Sequence, residues 1–103
     1  MSEIVCTFGA AEQRERKATL QRDLLPRVKT VTELPNGYVL WFDRAEGELA
    51  RIASFVELES QCCAFLSFVI RVDSGADRIA LHLEGPEGAK ELLRRLVEER
   101  ADR

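Results

Sequence analysis

The chain has 103 residues, the length of one ordinary domain, and 46% of them are hydrophobic, which is enough for one packed core without metals or disulfides. The formal net charge of -3 argues against a general binder of nucleic acid or of anionic membranes, because such proteins carry a basic excess or stripe. The sequence has no run of about 18 apolar residues and no signal-peptide pattern. We therefore expect a single cytoplasmic domain over residues 1–103, with no nucleic-acid partner and no membrane.

The three cysteines are an odd number, and two of them are adjacent. This is unlike the even, spaced set of a secreted disulfide-bonded domain, so we expect reduced thiols. A bridge between Cys62 and Cys63 would close a ring that demands an unusual backbone. We expect that bridge only as a minor or redox-switched state.

The N-terminal part of the chain predicts a strand followed by a helix. β-branched and aromatic residues over Ile4–Phe8 predict a strand or extended arm, and strand alternation places Cys6 on its inner side. Helix-forming residues with a thin leucine edge predict a helix over Ala10–Leu25, which Pro26 ends.

Two β-rich runs then predict a hairpin. The runs are Val28–Leu34 and Tyr38–Asp43, and they flank Asn36-Gly37, a turn in which Gly37 can take a positive φ. Both faces of the second run are partly apolar, with Tyr38, Leu40 and Phe42 on one side and Val39, Trp41 and Asp43 on the other. The resulting sheet is either covered on both sides or uses its second face for a partner.

The strongest helical pattern covers Glu46–Ala64. Residues at helical spacing predict its buried stripe, namely Leu49, Ile52, Ala53, Val56, Ser60 and Cys63. On the helical wheel, Cys62 lies towards the flank of this stripe, and the Glu59 carboxylate lies beside both Cys62 and Cys63 at i+3 and i+4.

The C-terminal part predicts a second hairpin and a last helix. Alternating residues place Phe65–Val72 and Arg78–Glu84 in antiparallel strands, with the single histidine, His82, on the less apolar face. Pro86 is expected at the first position of the last helix. The predicted buried stripe of that helix is Ala89, Leu92, Leu93, Leu96 and Val97.

The best candidate for chemistry is a thiol site made of Cys6, Glu59, Cys62 and Cys63. Thiolates bind soft metals and oxidise reversibly, so the cofactor would be a soft metal ion such as Zn, Cu(I) or Hg(II). Adjacent residues on a helix diverge by about 100°, so a chelate with both neighbouring thiols needs the helix to end there. The competing interpretation is that Cys63 is a small buried hydrophobic residue and Cys62 a half-buried one.

Two further motifs have ordinary structural explanations. The stretch Gly85–Lys90 could bind an anion at a helix start, but its spacing is not that of a phosphate loop and Glu87 would oppose an anion. His82 has no identifiable catalytic partner in the sequence.

The run from Glu59 through Cys62-Cys63 to Phe65 and Phe68, with Cys6-Thr7, Glu33–Tyr38 and Gly85–Glu91, resembles a group of small uncharacterised bacterial proteins. They share an E-x-x-C-C-P-F-like signature and a C-terminal G-P-E-G-A-K motif. This chain has Ala64 where the group usually has proline. The resemblance implies that the three cysteines and Glu59 form one pattern, and it carries no assigned activity; a link to heavy-metal resistance is only a hint.

Together these patterns predict an α+β fold of order β-α-β-β-α-β-β-α, in which two hairpins form a mainly antiparallel sheet with helices packed on it, in the manner of ferredoxin-like sandwiches. The first functional hypothesis is a thiol protein that binds a soft metal or responds to oxidants, with Glu59 as an oxygen ligand or a modulator of the thiols. The alternative is a non-catalytic dimerisation or interaction module, with buried structural cysteines, that works as a homodimer through the sheet face around Trp41. An enzyme ranks third, because no set of acid, base and nucleophile is visible.

Overall fold

The computed structural model describes residues 11–99, in which three α-helices pack on one face of a four-stranded antiparallel sheet. The side chains at positions 11–14, 16, 17, 20, 62, 96 and 99 are outside this description. The predicted α+β class is confirmed. The predicted strand Ile4–Phe8 lies outside the described residues, and so does Cys6. The ferredoxin-like relationship stays a prediction, because it depends on that first strand.

The described chain consists of two β-hairpins, with one α-helix before, one between and one after them. In chain order they are α1 (Ala11–Leu24), β1 (Val28–Leu34), β2 (Gly37–Asp43), α2 (Glu48–Cys62), β3 (Ser67–Val72), β4 (Arg78–Glu84) and α3 (Ala89–Glu99). A 3-10 turn, Leu25–Arg27, follows α1 and contains Pro26, so the helix ends where the proline predicts.

The sheet order is β1-β2-β4-β3, and all three pairings are antiparallel. The two predicted hairpins are therefore confirmed, and they join through the central strands β2 and β4. A register shift between Val28 and Thr30 lets both Val28 and Val31 face the core from β1.

The core lies between the sheet and the helices. The central strands contribute the residues of β2 and β4 that were predicted to face inward. From α1, α2 and α3, the residues that pack on them are Leu24, Ile52, Phe55 and Leu93. None of the helices within residues 11–99 combines the length and apolar composition that crossing a membrane requires.

The first hairpin turns differently from the sequence expectation. Gly37 is paired in β2, so the turn consists of Pro35 and Asn36. Within residues 11–99, the positive φ values occur at Gly47, Gly75 and Gly88 instead. A Cβ atom at Gly37 would lie only 1.8 Å from the Leu83 carbonyl oxygen. The glycine is therefore needed for the close approach of β4, and the prediction of a positive φ was wrong.

The predicted buried stripe of α2 was right only at some positions, among them Ile52 and Cys63, which are buried. Leu49 is 44% exposed, and Ala53 and Ser60 are exposed, whereas Ile52, Phe55 and Leu58 are buried. Two glutamates, Glu48 and Glu59, share that buried face. The buried face of α2 differs from the predicted one because carboxylates with hydrogen-bond partners occupy positions that hydrophobicity alone assigns to solvent.

The last helix begins later than predicted. Pro86 and Gly88 lie before it, with Gly88 at a φ of 96°, and the first helical residue is Ala89. Ala89 and Leu93 are buried as predicted, but Leu92 is 39% exposed.

Candidate functional site

The corner between α2 and β3 holds Cys63 at the C-cap of the helix. The Cys63 amide donates to the Glu59 carbonyl at 2.7 Å, and the Leu66 amide donates to the Cys63 carbonyl at 3.0 Å. The helix therefore ends at this cysteine pair, as the thiol-site hypothesis requires, although the residue after Cys63 is Ala64 and not proline.

The Glu59 side chain is buried beside Cys63 and is only 4% exposed. Its Oε2 accepts a hydrogen bond from Gln21 Nε2 of α1 at 2.9 Å, and its Oε1 lies 3.6 Å from Cys63 Sγ. The i, i+4 spacing thus brings the carboxylate and the sulfur into contact. A buried carboxylate needs such partners, because an isolated one is costly.

Cys63 is disulfide-bonded in this structure, which corrects the expectation of a reduced thiol at this position. The two other cysteines of the chain are Cys6 and Cys62. Cys6 lies outside the described residues, as does the Cys62 side chain. A disulfide sulfur carries no proton, so the 3.6 Å approach of Glu59 is a contact; a reduced thiol there could donate to the same oxygen.

The corner packs against the segment that leads into α3. Cys63, Phe65 and Ala89 form a small buried cluster, with Leu66 packed against it. A Cβ atom at Gly85 would lie 2.6 Å from the Ala89 Cβ and 3.2 Å from Leu66 Cδ2. Only glycine at position 85 lets this segment lie so close to the corner.

The first hairpin turn meets the same segment. The Gly85 amide donates to the Asn36 carbonyl at 3.1 Å, Lys90 pairs with Glu33, and the Lys90 ammonium lies 5.6 Å from the Tyr38 ring centre. Three stretches on which the resemblance depends, namely 33–38, 59–68 and 85–91, therefore come together at one end of the sheet.

A metal site is not visible in the described residues, where no three side chains among His, Cys, Asp and Glu cluster as a metal would require. Two of the four proposed ligands, Cys6 and the Cys62 side chain, lie outside the described residues, so the metal site stays a prediction. His82 is on the outer sheet face, as predicted, paired across the strands with Val39 and Val69.

The outer sheet face is opposite the three helices and centres on Trp41. The indole N–H donates to the Thr32 hydroxyl at 2.9 Å, and the Arg78 guanidinium stacks 4.3 Å from the ring centre. Val69 is 53% exposed on this face. The polar partners of Trp41 are typical of a solvated surface. The hypothesis that this face binds a partner remains a prediction.

A cluster that the sequence did not reveal lies at the start of α2. Glu48 is 2% exposed, and its Oε1 accepts from Arg27 Nε at 2.6 Å and from Arg51 Nη1 at 3.0 Å. The spacing of Glu48 and Arg51 predicts a surface pair at i, i+3, but nothing local links either to Arg27.

Comparison with known proteins found no family, no curated protein and no solved structure that matches this chain. The resemblance described above therefore remains a prediction.

Proposed function

We propose that this is a redox-responsive cysteine protein in which Cys63 alternates between a disulfide with Cys6 and a reduced thiol. The observation that carries the proposal is the disulfide-bonded state of Cys63, buried beside the Glu59 carboxylate. We retain a cytoplasmic location as part of the proposal. A disulfide in that compartment is usually transient, redox-sensing or catalytic, which is the behaviour proposed for Cys63.

Helix geometry favours Cys6 over Cys62 as the partner. Cys62 is the last residue of α2 and Cys63 its C-cap. Neighbouring side chains on a regular helix diverge by about 100°, which disfavours a bond between adjacent residues. A bond between adjacent cysteines would also close a strained ring.

The Glu59 carboxylate suits both states of such a switch. In the reduced state, its Oε1 can accept the proton of a Cys63 thiol, so the buried thiol gains a hydrogen-bond partner. In the oxidised state, the Gln21 amide still donates to the other oxygen. Neither state leaves the carboxylate buried without a donor.

The reaction is thiol–disulfide exchange with a small disulfide of the glutathione class. The Cys6 and Cys63 thiols lose their two hydrogens and form one S–S bond, while the small disulfide is reduced and released as two thiols. An excess of the small thiol reverses the exchange.

Mass spectrometry of alkylated peptides tests the pairing. After equilibration with the small disulfide, we expect a cross-linked peptide pair containing Cys6 and Cys63, and an alkylated Cys62. Cys62→Ser should keep this bond and Cys6→Ser should abolish it. A bond that survives Cys6→Ser and disappears in Cys62→Ser would refute the pairing.

A redox titration tests the function. We expect half-oxidation between about -180 and -300 mV, the range of intracellular thiol buffers. A potential well below about -300 mV would identify the bond as a permanent structural disulfide and would contradict the proposed switch.

Soft-metal binding is the second use of the same residues, and it requires the reduced protein. Cys6, Cys62 and Cys63 would supply thiolates and Glu59 an oxygen ligand for Zn, Cu(I) or Hg(II). Titrating the reduced chain with one of these metals while counting reactive thiols tests this. A bound metal should protect all three thiols, and protection no better than that of free cysteine rejects the metal site.

A homodimer through the Trp41 face would appear as a doubled mass in light scattering.

A further inference from the structure

The groove between the end of α1 and the start of α2 holds two arginines that one buried carboxylate orients. Arg27 Nε and Arg51 Nη1 both donate to the same oxygen, Glu48 Oε1. The Glu48 side chain is 3% exposed, whereas those of Arg27 and Arg51 are 41% and 46% exposed. The glutamate therefore lies beneath the guanidinium groups, and the arginines reach solvent.

Both guanidinium groups keep donors for another partner. An arginine has five N–H donors, and Glu48 engages one nitrogen of each. Arg51 Nη1 also lies 3.5 Å from the Glu46 carbonyl. Within the described chain, the remaining nitrogens of Arg27 and Arg51 have no hydrogen-bond acceptor.

The groove above these donors has a volume of about 450 Å³ and is lined by Asp23, Leu24, Arg27, Ala50, Arg51 and Ser54. This volume falls in the range of small-ligand sites, about 300–1,000 Å³. Arg27 and Arg51 carry two positive charges and Glu48 carries one negative charge. The buried carboxylate thus fixes both guanidinium groups and leaves one positive charge among these three side chains, which Asp23 in the groove lining offsets.

We propose that this groove binds a small organic oxyanion, a carboxylate or a phosphate monoester, through the outward-facing N–H groups of Arg27 and Arg51. Guanidinium forks suit this chemistry because they offer paired donors that match two oxygens of a carboxylate or phosphate. Glu48 acts as a positioning residue that holds both forks in place before the ligand arrives. This site is independent of the cysteine corner.

Asp23 sets the strength of binding. It lines the same groove and makes no ion pair within 4 Å with Arg27 or Arg51 in the described chain. Its negative charge opposes an anion across the groove. Neutralising Asp23 should therefore strengthen binding, in the opposite direction to any change in the arginines.

Chemical-shift titration of the 15N-labelled chain with inorganic phosphate and with citrate, at constant ionic strength, tests the proposal. We expect saturable shifts confined to the amides of residues 23–25, 27 and 47–54. Arg27→Lys and Arg51→Lys keep a charge beside Glu48 but remove the fork, and each should weaken binding at least about fivefold. Asp23→Asn should strengthen it about two- to fivefold.

Arg94→Lys is the matched control, because Arg94 is also held by glutamates, Glu91 and Glu98, but on the exposed surface of α3. This variant should leave both affinities unchanged. Phosphate shifts that do not saturate, that sodium chloride reproduces, or that respond equally to the Arg94 and Arg51 variants would overturn the site. Tighter citrate than phosphate binding would identify a carboxylate ligand, and the reverse order a phosphate ester.

Discussion

Glu48 and Glu59 are both buried on α2, and the fold satisfies them in different ways. Two guanidinium groups donate to Glu48, and among the contacts of Glu59 are a hydrogen bond from the Gln21 amide and the Cys63 sulfur. Burying a carboxylate costs free energy unless hydrogen bonds replace its lost water. The partners of these glutamates should therefore matter more for stability than comparable residues on the surface.

Replacing Gln21 with alanine tests this at Glu59. The change removes the donor to Glu59 Oε2, and we expect it to lower the free energy of unfolding by about 1–3 kcal/mol, because a buried charged acceptor loses a hydrogen bond. Urea denaturation at a fixed redox potential measures the difference.

Gln61→Ala is the control for that measurement. Gln61 is exposed on the last turn of α2, so its replacement should change stability by no more than about 0.5 kcal/mol. Equal effects of the two substitutions would show that the Gln21 to Glu59 hydrogen bond contributes nothing measurable.

The existence and order of the two hairpins followed from alternation and turn residues, but the full buried face of α2 did not. Hydrophobic spacing selected Leu49, which is 44% exposed, and passed over Glu48, which is 2% exposed. A sequence pattern ranks glutamate as a surface residue, and Arg27, the distant partner that reverses this ranking, is visible only in three dimensions. The sequence was enough to predict that this segment is a helix, but not which of its faces is buried.

Glycine roles show the same limit. Asn36-Gly37 predicted a turn with positive φ, yet Gly37 serves the close approach of β4 from elsewhere in the chain. Likewise, Gly85–Gly88 predicted a helix start, while Gly85 makes room for Leu66 and Ala89. Both glycines lie in segments predicted as a turn or a helix start, but the non-local contact that requires each one could not be read from its neighbours.

Helix α3 carries a surface ion-pair cluster that makes its stability depend on pH. The hydrogen bond and the charge of Arg94 hold the pKa of Glu91 below its usual value, and Glu91 raises the pKa of Arg94 in return. A lowered pKa in the folded state means that the pair stabilises the chain above the unfolded pKa of about 4.3. The contribution declines as pH falls from there and disappears below the folded pKa.

We therefore expect Glu91→Gln to lower the melting temperature at pH 7 and to have no such effect at pH 2. The difference at pH 7 should also shrink in 1 M salt. The Debye length is then about 3 Å, so the attraction between these exposed charges is screened. Glu87→Gln is the control: Glu87 is exposed just before α3 and should show neither dependence. A loss of stability that is the same at both pH values would assign the effect to helix propensity.

At the scale of the whole molecule, distant parts of the chain meet at one end of the sheet. The β1–β2 turn, the α2–β3 corner and the start of α3 contact one another through Asn36, Gly85, Leu66 and Ala89. The sequence predicted the order of these elements. Their convergence depends on the pairing of β2 with β4, a long-range contact that no local pattern specifies.

A disulfide between Cys6 and Cys63 would tie the N-terminal segment to this end of the molecule. It would close a loop over more than half of the chain, which by chain entropy stabilises the folded state by about 4 kcal/mol, whereas a bond between adjacent cysteines closes almost no loop. We therefore expect reduction of the native chain, or Cys6→Ser, to lower the free energy of unfolding by about 2–4 kcal/mol. Denaturant titration of oxidised and reduced protein measures this, with Cys62→Ser as the control that should keep the full difference between the two states. If reduction changes the stability of the native chain by less than about 0.5 kcal/mol, the long loop is not closed and the proposed pairing fails.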